Sequence, residues 1–202
     1  MSNDIEFNRF SYVVGADQTI QNQLINWVAK SLQYINEFFD GDRSRIAGTK
    51  FGDCVSKTEY LADIVTYLDN SSSFRGVRDT SGRLQAATII SREYGIIYPY
   101  TEPRQYLSLD PFTSAPWNCL EGRTFVETVK GAGTWLMSEI IEEVIDTEIE
   151  GLIKLLAIDR ARDFYLNIGF QENPDYEREM ILTREASQSF IIKYRQKKEA
   201  AQ

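Results

Sequence analysis

The sequence predicts an α/β fold in which a mixed, mostly antiparallel twisted sheet of about six or seven strands is flanked by helices. Three observations carry that expectation. The run from Asp17 to Phe39 repeats apolar residues every three or four positions, the period of a helix buried on one face. Asp79-Thr80-Ser81-Gly82 separates two segments rich in β-forming residues, the pattern of a hairpin. Further on, a glycine-containing stretch opens directly into an amphipathic run, followed by a short apolar segment and a second amphipathic run.

In chain order, Phe7 to Val14 reads as a first strand ending at Gly15. Asp17 is placed to cap a helix whose stripe is Ile20, Leu24, Trp27, Val28, Leu32, Ile35 and Phe38, and Gly41 stops it. Residues 40–53 read as a loop. Ser56 and Glu59 have capping-box spacing, with Val55 and Tyr60 as the staple, so a second helix is expected from there, carrying Leu61, Ile64, Val65 and Leu68. Strands are expected over 74–78 and 83–92, with Leu84, Ala86, Thr88 and Ile90 on one face and Gln85, Ala87, Ile89 and Ser91 on the other.

After an aromatic loop, a strand from Gln105 to about Thr113 contains Pro111, which cannot donate to a ladder, so the sheet should open there. Leu136, Ile140 and Val144, widened by Met137, Ile141 and Ile145, define the next helix. The acidic run Glu139, Glu142, Glu143, Asp146 and Glu148 reads as its wet face. Leu152 to Ile158 has the pattern of a strand buried on both faces. Asp159 is expected to cap a helix with Ala161, Phe164, Tyr165 and Ile168 on one side and Gly169 at its end. Met180 to Thr183 reads as a last strand, and residues 193–202 as a polar tail that is either a frayed helix or disordered.

With 202 residues, 43% of them hydrophobic, the chain can bury a sizeable core in a single domain spanning 1–202. A net charge of −8 argues against nucleic acid as a partner and favours a cationic one. No apolar run approaches the roughly 18 residues of a membrane span, and the N-terminal residues lack a signal pattern, so the expected compartment is the cytoplasm with no membrane partner. Histidine is absent, which excludes Ser-His-Asp and Cys-His catalysis and any His-ligated metal. Cys54 and Cys119 lack zinc-site spacing and read as packing residues, so no metal is expected.

The stretch Val129-Lys130-Gly131-Ala132-Gly133-Thr134 is where chemistry is expected. Glycines allow close approach and positive φ, while the first-turn amides and the helix dipole offer donors and partial positive charge to a phosphate. Lys130 adds a full charge. Read alone, the two glycines serve equally well as a tight turn.

The segment from Arg83 to Arg184 resembles the GNAT superfamily of N-acetyltransferases. Gly131 and Gly133 match its Q/R-x-x-G-x-G/A pyrophosphate loop, and Ala161, Phe164, Tyr165, Gly169 and Phe170 match its A-x-x-F-Y-x-x-x-G-F signature, about 30 residues downstream. Thr128 stands where the family favours Gln or Arg, and Ile158 where it often has Asn. Residues 1–80 carry no signature, only the expected strand and helices; 83–184 hold the motifs.

The resemblance implies a sheet splayed at its fourth strand. It also implies acetyl-CoA as cosubstrate, its pantetheine arm along Thr113, Ser114 and Ala115 and its diphosphate on the amides of Val129 to Thr134, with Phe164 beside it. It implies direct transfer of acetyl to an amine of a small molecule or peptide, with Tyr165 protonating the departing thiolate. The base stays unassigned; Glu93 and Asp110 are best placed by strand position and otherwise read as solvated surface charges. A homodimer is compatible with the family. The competing reading is a catalytically degenerate GNAT-like module that binds CoA or a protein partner.

Overall fold

The computed structural model describes residues 9–67 and 71–200. Its elements are β1 (Phe10–Val14), α1 (Gln18–Phe39), α2 (Lys50–Tyr67), β2 (Phe74–Asp79), β3 (Leu84–Gly95), β4 (Arg104–Ser114), α3 (Ala132–Val144), β5 (Ile153–Leu156), α4 (Asp159–Ile168), β6 (Gln171–Glu172), β7 (Glu179–Leu182) and α5 (Arg184–Ala200). The seven strands lie in the order β1-β2-β3-β4-β5-β7-β6. Pairs β1–β2, β2–β3, β5–β7 and β6–β7 are antiparallel and β4–β5 is parallel. This is the mixed, mostly antiparallel sheet with flanking helices that the sequence predicts. The N-terminal end of the expected first strand, Phe7 and Asn8, lies outside the described residues. Among those described, no helix is long and apolar enough to cross a membrane.

Two compact units divide the chain. The first comprises Phe10–Ile89 and Pro111–Leu136. Asp17 caps α1 as expected, accepting from the Ile20 amide at 2.8 Å, and the helix ends where Asp40 and Gly41 turn left-handed, with the Gly41 amide on the Ile35 carbonyl. Its buried face runs Ile20, Leu24, Trp27, Ser31, Tyr34 and Ile35. Leu32, expected inside, is 42% exposed. Ser31 replaces it because its hydroxyl donates back to the Trp27 carbonyl at 2.9 Å and so is satisfied without water.

Helix α2 begins six residues before the capping box. The residues read as a loop contain a 3₁₀ turn, Arg43–Ile46, and the first turn of α2. Thr49 is the cap: its hydroxyl accepts from the Gly52 amide at 3.0 Å. Gly52 is required by close approach, since a Cβ there would lie 2.1 Å from the Ile46 carbonyl oxygen. Ser56 sits inside the helix and donates to the Gly52 carbonyl, and Tyr60 is exposed, so neither box nor staple forms. The core of this unit gathers Ile20, Leu24, Trp27, Phe51, Leu61, Phe74, Leu84 and Trp117.

The expected hairpin is present, with Gly82 left-handed in its turn. Strand β3 departs from simple alternation, because Leu84 to Thr88 are buried on both faces. Buried Gln85 therefore needs partners within the protein, and it has them in Asp79, Trp117 and Asn118.

The second unit comprises Ile90–Asp110 and Met137–Gln202 with Met1–Arg9. Here β5 packs Ile153 and Leu155 inward, and Gly169 ends α4 with φ 116° as expected. Asp159 is the first helical residue rather than the cap. Ile158 precedes it without a side-chain cap bond, and the Asp159 charge still favours a helix N-terminus. The tail is helical to Ala200, its last two residues lying outside those described, and α5 is preceded by the Thr183 hydroxyl, which accepts from the Ala186 amide at 3.3 Å. Ile191 and Tyr194 are buried, and Ser187 donates to the Gly151 carbonyl. Part of the acidic run is paired: Glu142 with Arg195, while Glu148 accepts from Gln105.

Asp79 accepts from the Ser81 amide at 2.8 Å, the Arg83 amide at 3.0 Å, the Arg83 guanidinium at 3.0 Å and the Gln85 amide at 2.8 Å. Burial pushes its carboxyl up, but the hydrogen bonds from Arg83, Gln85 and Ser81 outweigh burial and hold it below the ordinary value. Asp79→Ala should therefore cost about 1–3 kcal/mol at neutral pH. A depressed folded pKa stabilises fully above the unfolded value of about 4 and fades as pH falls through the folded one. Denaturant midpoints of wild type and Asp79→Ala should converge as pH falls below the unfolded value; a gap that stays constant contradicts this assignment.

Candidate active site

The glycine loop is built by a change of backbone hand at the start of α3. Gly131 has φ 89°, a region that side chains other than glycine rarely adopt, and an added Cβ would meet nothing within 4 Å. Its backbone faces open space. The Trp135 amide bonds to the Gly131 carbonyl at 2.9 Å as the first helical bond. Ala132, Gly133 and Thr134 thus supply the amides that a helix start leaves without intrahelical partners. Gly133 is helical rather than left-handed, so its role is limited to the absence of a side chain in the first turn. Lys130 is exposed beside it. A helix start of this kind can bind an anion.

Val129 is held from below. Its amide donates to Asn118 Oδ1 at 3.0 Å, so that amide serves the fold. Thr128, where the resemblance expects Gln or Arg, faces inward: its hydroxyl accepts from the Phe125 amide at 3.0 Å and donates to the Trp117 carbonyl at 3.1 Å. Asn118 Nδ2 donates to Gln85 Oε1 at 2.8 Å, and Trp117 Nε1 donates to the same oxygen at 3.0 Å. The Thr128 hydroxyl is thus spent on an internal tie. In the sequence, the one mark of Gln85 as a network residue is that it is a glutamine inside an apolar strand.

At the end of β4, Thr113 is buried and Ser114 half-buried. The Ser114 carbonyl accepts from the Cys54 thiol at 3.2 Å. The buried cysteines are free and pack here as expected. Ala115 has both backbone groups engaged, its amide with the Gln85 carbonyl and its carbonyl with the Asn118 amide, which confines any pairing with a cofactor to the residues before it. The β4–β5 register runs from Leu107↔Ile153 to Leu109↔Leu155, whereas β4 continues to Ser114 through Pro111. The parallel ladder thus ends close to the proline that cannot extend it.

In the second unit, Tyr165 is 3% exposed, edge-on to Phe164 at 5.0 Å and to Phe170 at 5.4 Å. The three aromatic residues of the signature form one cluster. Glu93 is partly exposed and also paired. It accepts from the Tyr106 hydroxyl at 2.7 Å and from Ser91, and lies 3.7 Å from the Lys154 ammonium, which also reaches Glu179 at 3.9 Å. Burial pushes the Glu93 carboxyl up, but Tyr106, Lys154, Ser91 and Ser108 hold it below the ordinary value. Burial and Glu93 push the Tyr106 phenol up. A carboxylate held that way is a weak base. Asp110 is exposed, as expected.

No family model matches the sequence, and no curated protein matches it. Solved structures do resemble it. A mutant AtaT toxin bound to the C-terminus of its antitoxin AtaR is 12% identical over 66% of this chain and 82% of its own, with TM-score 0.49. The histone acetyltransferase HPA2 and related acetyltransferase of Corynebacterium glutamicum is 15% identical over 86% and 94%, with TM-score 0.45. Escherichia coli ElaA is 12% identical over 85% and 95%, with TM-score 0.43. At these scores the likenesses alone carry no inference of activity. The chain's own features are a seven-stranded sheet, a single parallel pair among the registers given above, and a glycine loop opening α3, which is the mixed architecture that the sequence resemblance implies.

Tyr106→Phe deletes the strongest hydrogen bond to Glu93 while keeping the ring. The Glu93 carboxyl should then titrate closer to its ordinary value in a ¹³C-carboxyl NMR titration, with a stability loss of about 0.5–1.5 kcal/mol. An unmoved Glu93 would assign its low value to Lys154 instead.

Proposed function

We propose that this chain transfers an acetyl group from acetyl-CoA to an amine of a small molecule or peptide. The observation that carries the reading is the glycine loop: a left-handed Gly131 over open space, followed by three helix-start amides and flanked by an exposed lysine. The cosubstrate's diphosphate would lie on those donors. Its pantetheine arm would run along β4 before Ala115, where the strand outlasts its parallel partner.

The amine nitrogen attacks the thioester carbonyl carbon, the new C–N bond forms, and the C–S bond breaks. The ammonium form of the acceptor loses one proton to solvent before attack, and the nitrogen loses a second after it. The thiolate gains one from the Tyr165 hydroxyl, which solvent then reprotonates. The charge of −8 favours cationic acceptors.

Saturating CoA or acetyl-CoA should raise the melting temperature, and Gly131→Asp should abolish most of that rise through added charge and a strained φ. No shift and no calorimetric heat with wild type would reduce the loop to a turn. Tyr165→Phe should lower kcat by roughly 100-fold with acetyl-CoA affinity nearly unchanged, measured by thiol release over a panel of amines. Undiminished turnover would return Tyr165 to the core. Tight acetyl-CoA binding without turnover on any amine would favour the non-catalytic module.

A further inference from the structure

We infer that Asn118 is a positioning residue that presets the glycine loop for its anion, acting through a buried chain of hydrogen bonds from Asp79 to Gln85 to Asn118 to the Val129 amide. The inference rests on the acetyl-CoA reading of that loop.

Gln85 has no solvent exposure, and each end of its amide is fixed. Nε2 donates to Asp79 Oδ2 at 2.8 Å and to the Glu127 carbonyl at 3.2 Å, which leaves Oε1 to accept from Trp117 and Asn118. An anionic carboxylate thus fixes which way the glutamine faces, and the glutamine in turn fixes Asn118. With Nδ2 committed to Gln85, Asn118 can only present Oδ1 to the Val129 amide, two residues before the left-handed Gly131. Thr128 ties the same segment to the Trp117 carbonyl. The loop stays exposed for binding, yet its entry is anchored to β3 and to the hairpin turn. An anchored loop has less freedom to lose when an anion binds, so the anchor contributes to affinity without touching the ligand.

The test compares wild type with Asn118→Ala, and with Thr128→Val as a milder, isosteric second variant that removes the other tie. Asn118→Ala should raise the KM for acetyl-CoA about tenfold and leave kcat and the KM for the amine unchanged. Turnover of S-acetyl-pantetheine, which lacks the diphosphate, should not change. Amide hydrogen exchange at Val129 should accelerate in the free protein, a measurement that needs no cofactor. Thr128→Val should shift acetyl-CoA in the same direction by a smaller factor. Loss of S-acetyl-pantetheine turnover in step with acetyl-CoA would assign Asn118 a general structural role and overturn the inference, as would wild-type exchange at Val129 in Asn118→Ala. Wild type that binds no CoA would instead overturn the acetyl-CoA reading, whatever the exchange data show.

Discussion

A glutamine amide without access to water ties together distant parts of the first unit. Gln85 lies where β3 is buried on both faces, and an unsatisfied amide there would be expensive, so its neighbours must supply partners. They come from three places: the carboxylate that closes the β2–β3 turn, the carbonyl of Glu127, and the Trp117–Asn118 turn after β4. The same contacts fix the hairpin, seat Trp117 edge-on to Trp27 of α1, and hold the entry to the glycine loop. Fold stability and the geometry of the glycine loop thus share one hydrogen-bond network.

The charges are distributed by the same logic. The chain is acidic overall, yet many of its carboxylates are paired: Glu93 and Glu179 with Lys154, Glu142 with Arg195, Glu150 with Arg184, Glu172 with Arg162. Most of these pairs are exposed and contribute little each. The group around Lys154 differs, because Tyr106 inserts its hydroxyl between carboxylate and ammonium and its ring beneath the ammonium at 4.9 Å. That arrangement links β3, β4, β5 and β7, which makes Glu93 a staple of the sheet and removes it as a ready base.

What the sequence by itself determined are the features whose cause is contiguous. The Asp17 cap and the Gly41 stop of α1, the turn at Gly82, the left-handed Gly131 and the Gly169 terminator all follow from one residue and its near neighbours, and each is found as read. The two-glycine spacing and the Phe164-Tyr165 pair were legible for the same reason. The tertiary structure decided where partners lie far apart in the chain. Gln85 meets Trp117 across 32 residues and Ser187 meets Gly151 across 36, so no local pattern marked the first as a network centre or the second as the anchor of a buried α5. The start of α2 was misplaced because a well-spaced Ser56 and Glu59 imitate a cap, while the true constraint is steric: Gly52 lets the helix pass against the Ile46 carbonyl. Spacing along the chain encodes hand, period and caps. Satisfaction of buried polar groups and close backbone approach depend on what folding brings from elsewhere, and only the assembled structure reveals them.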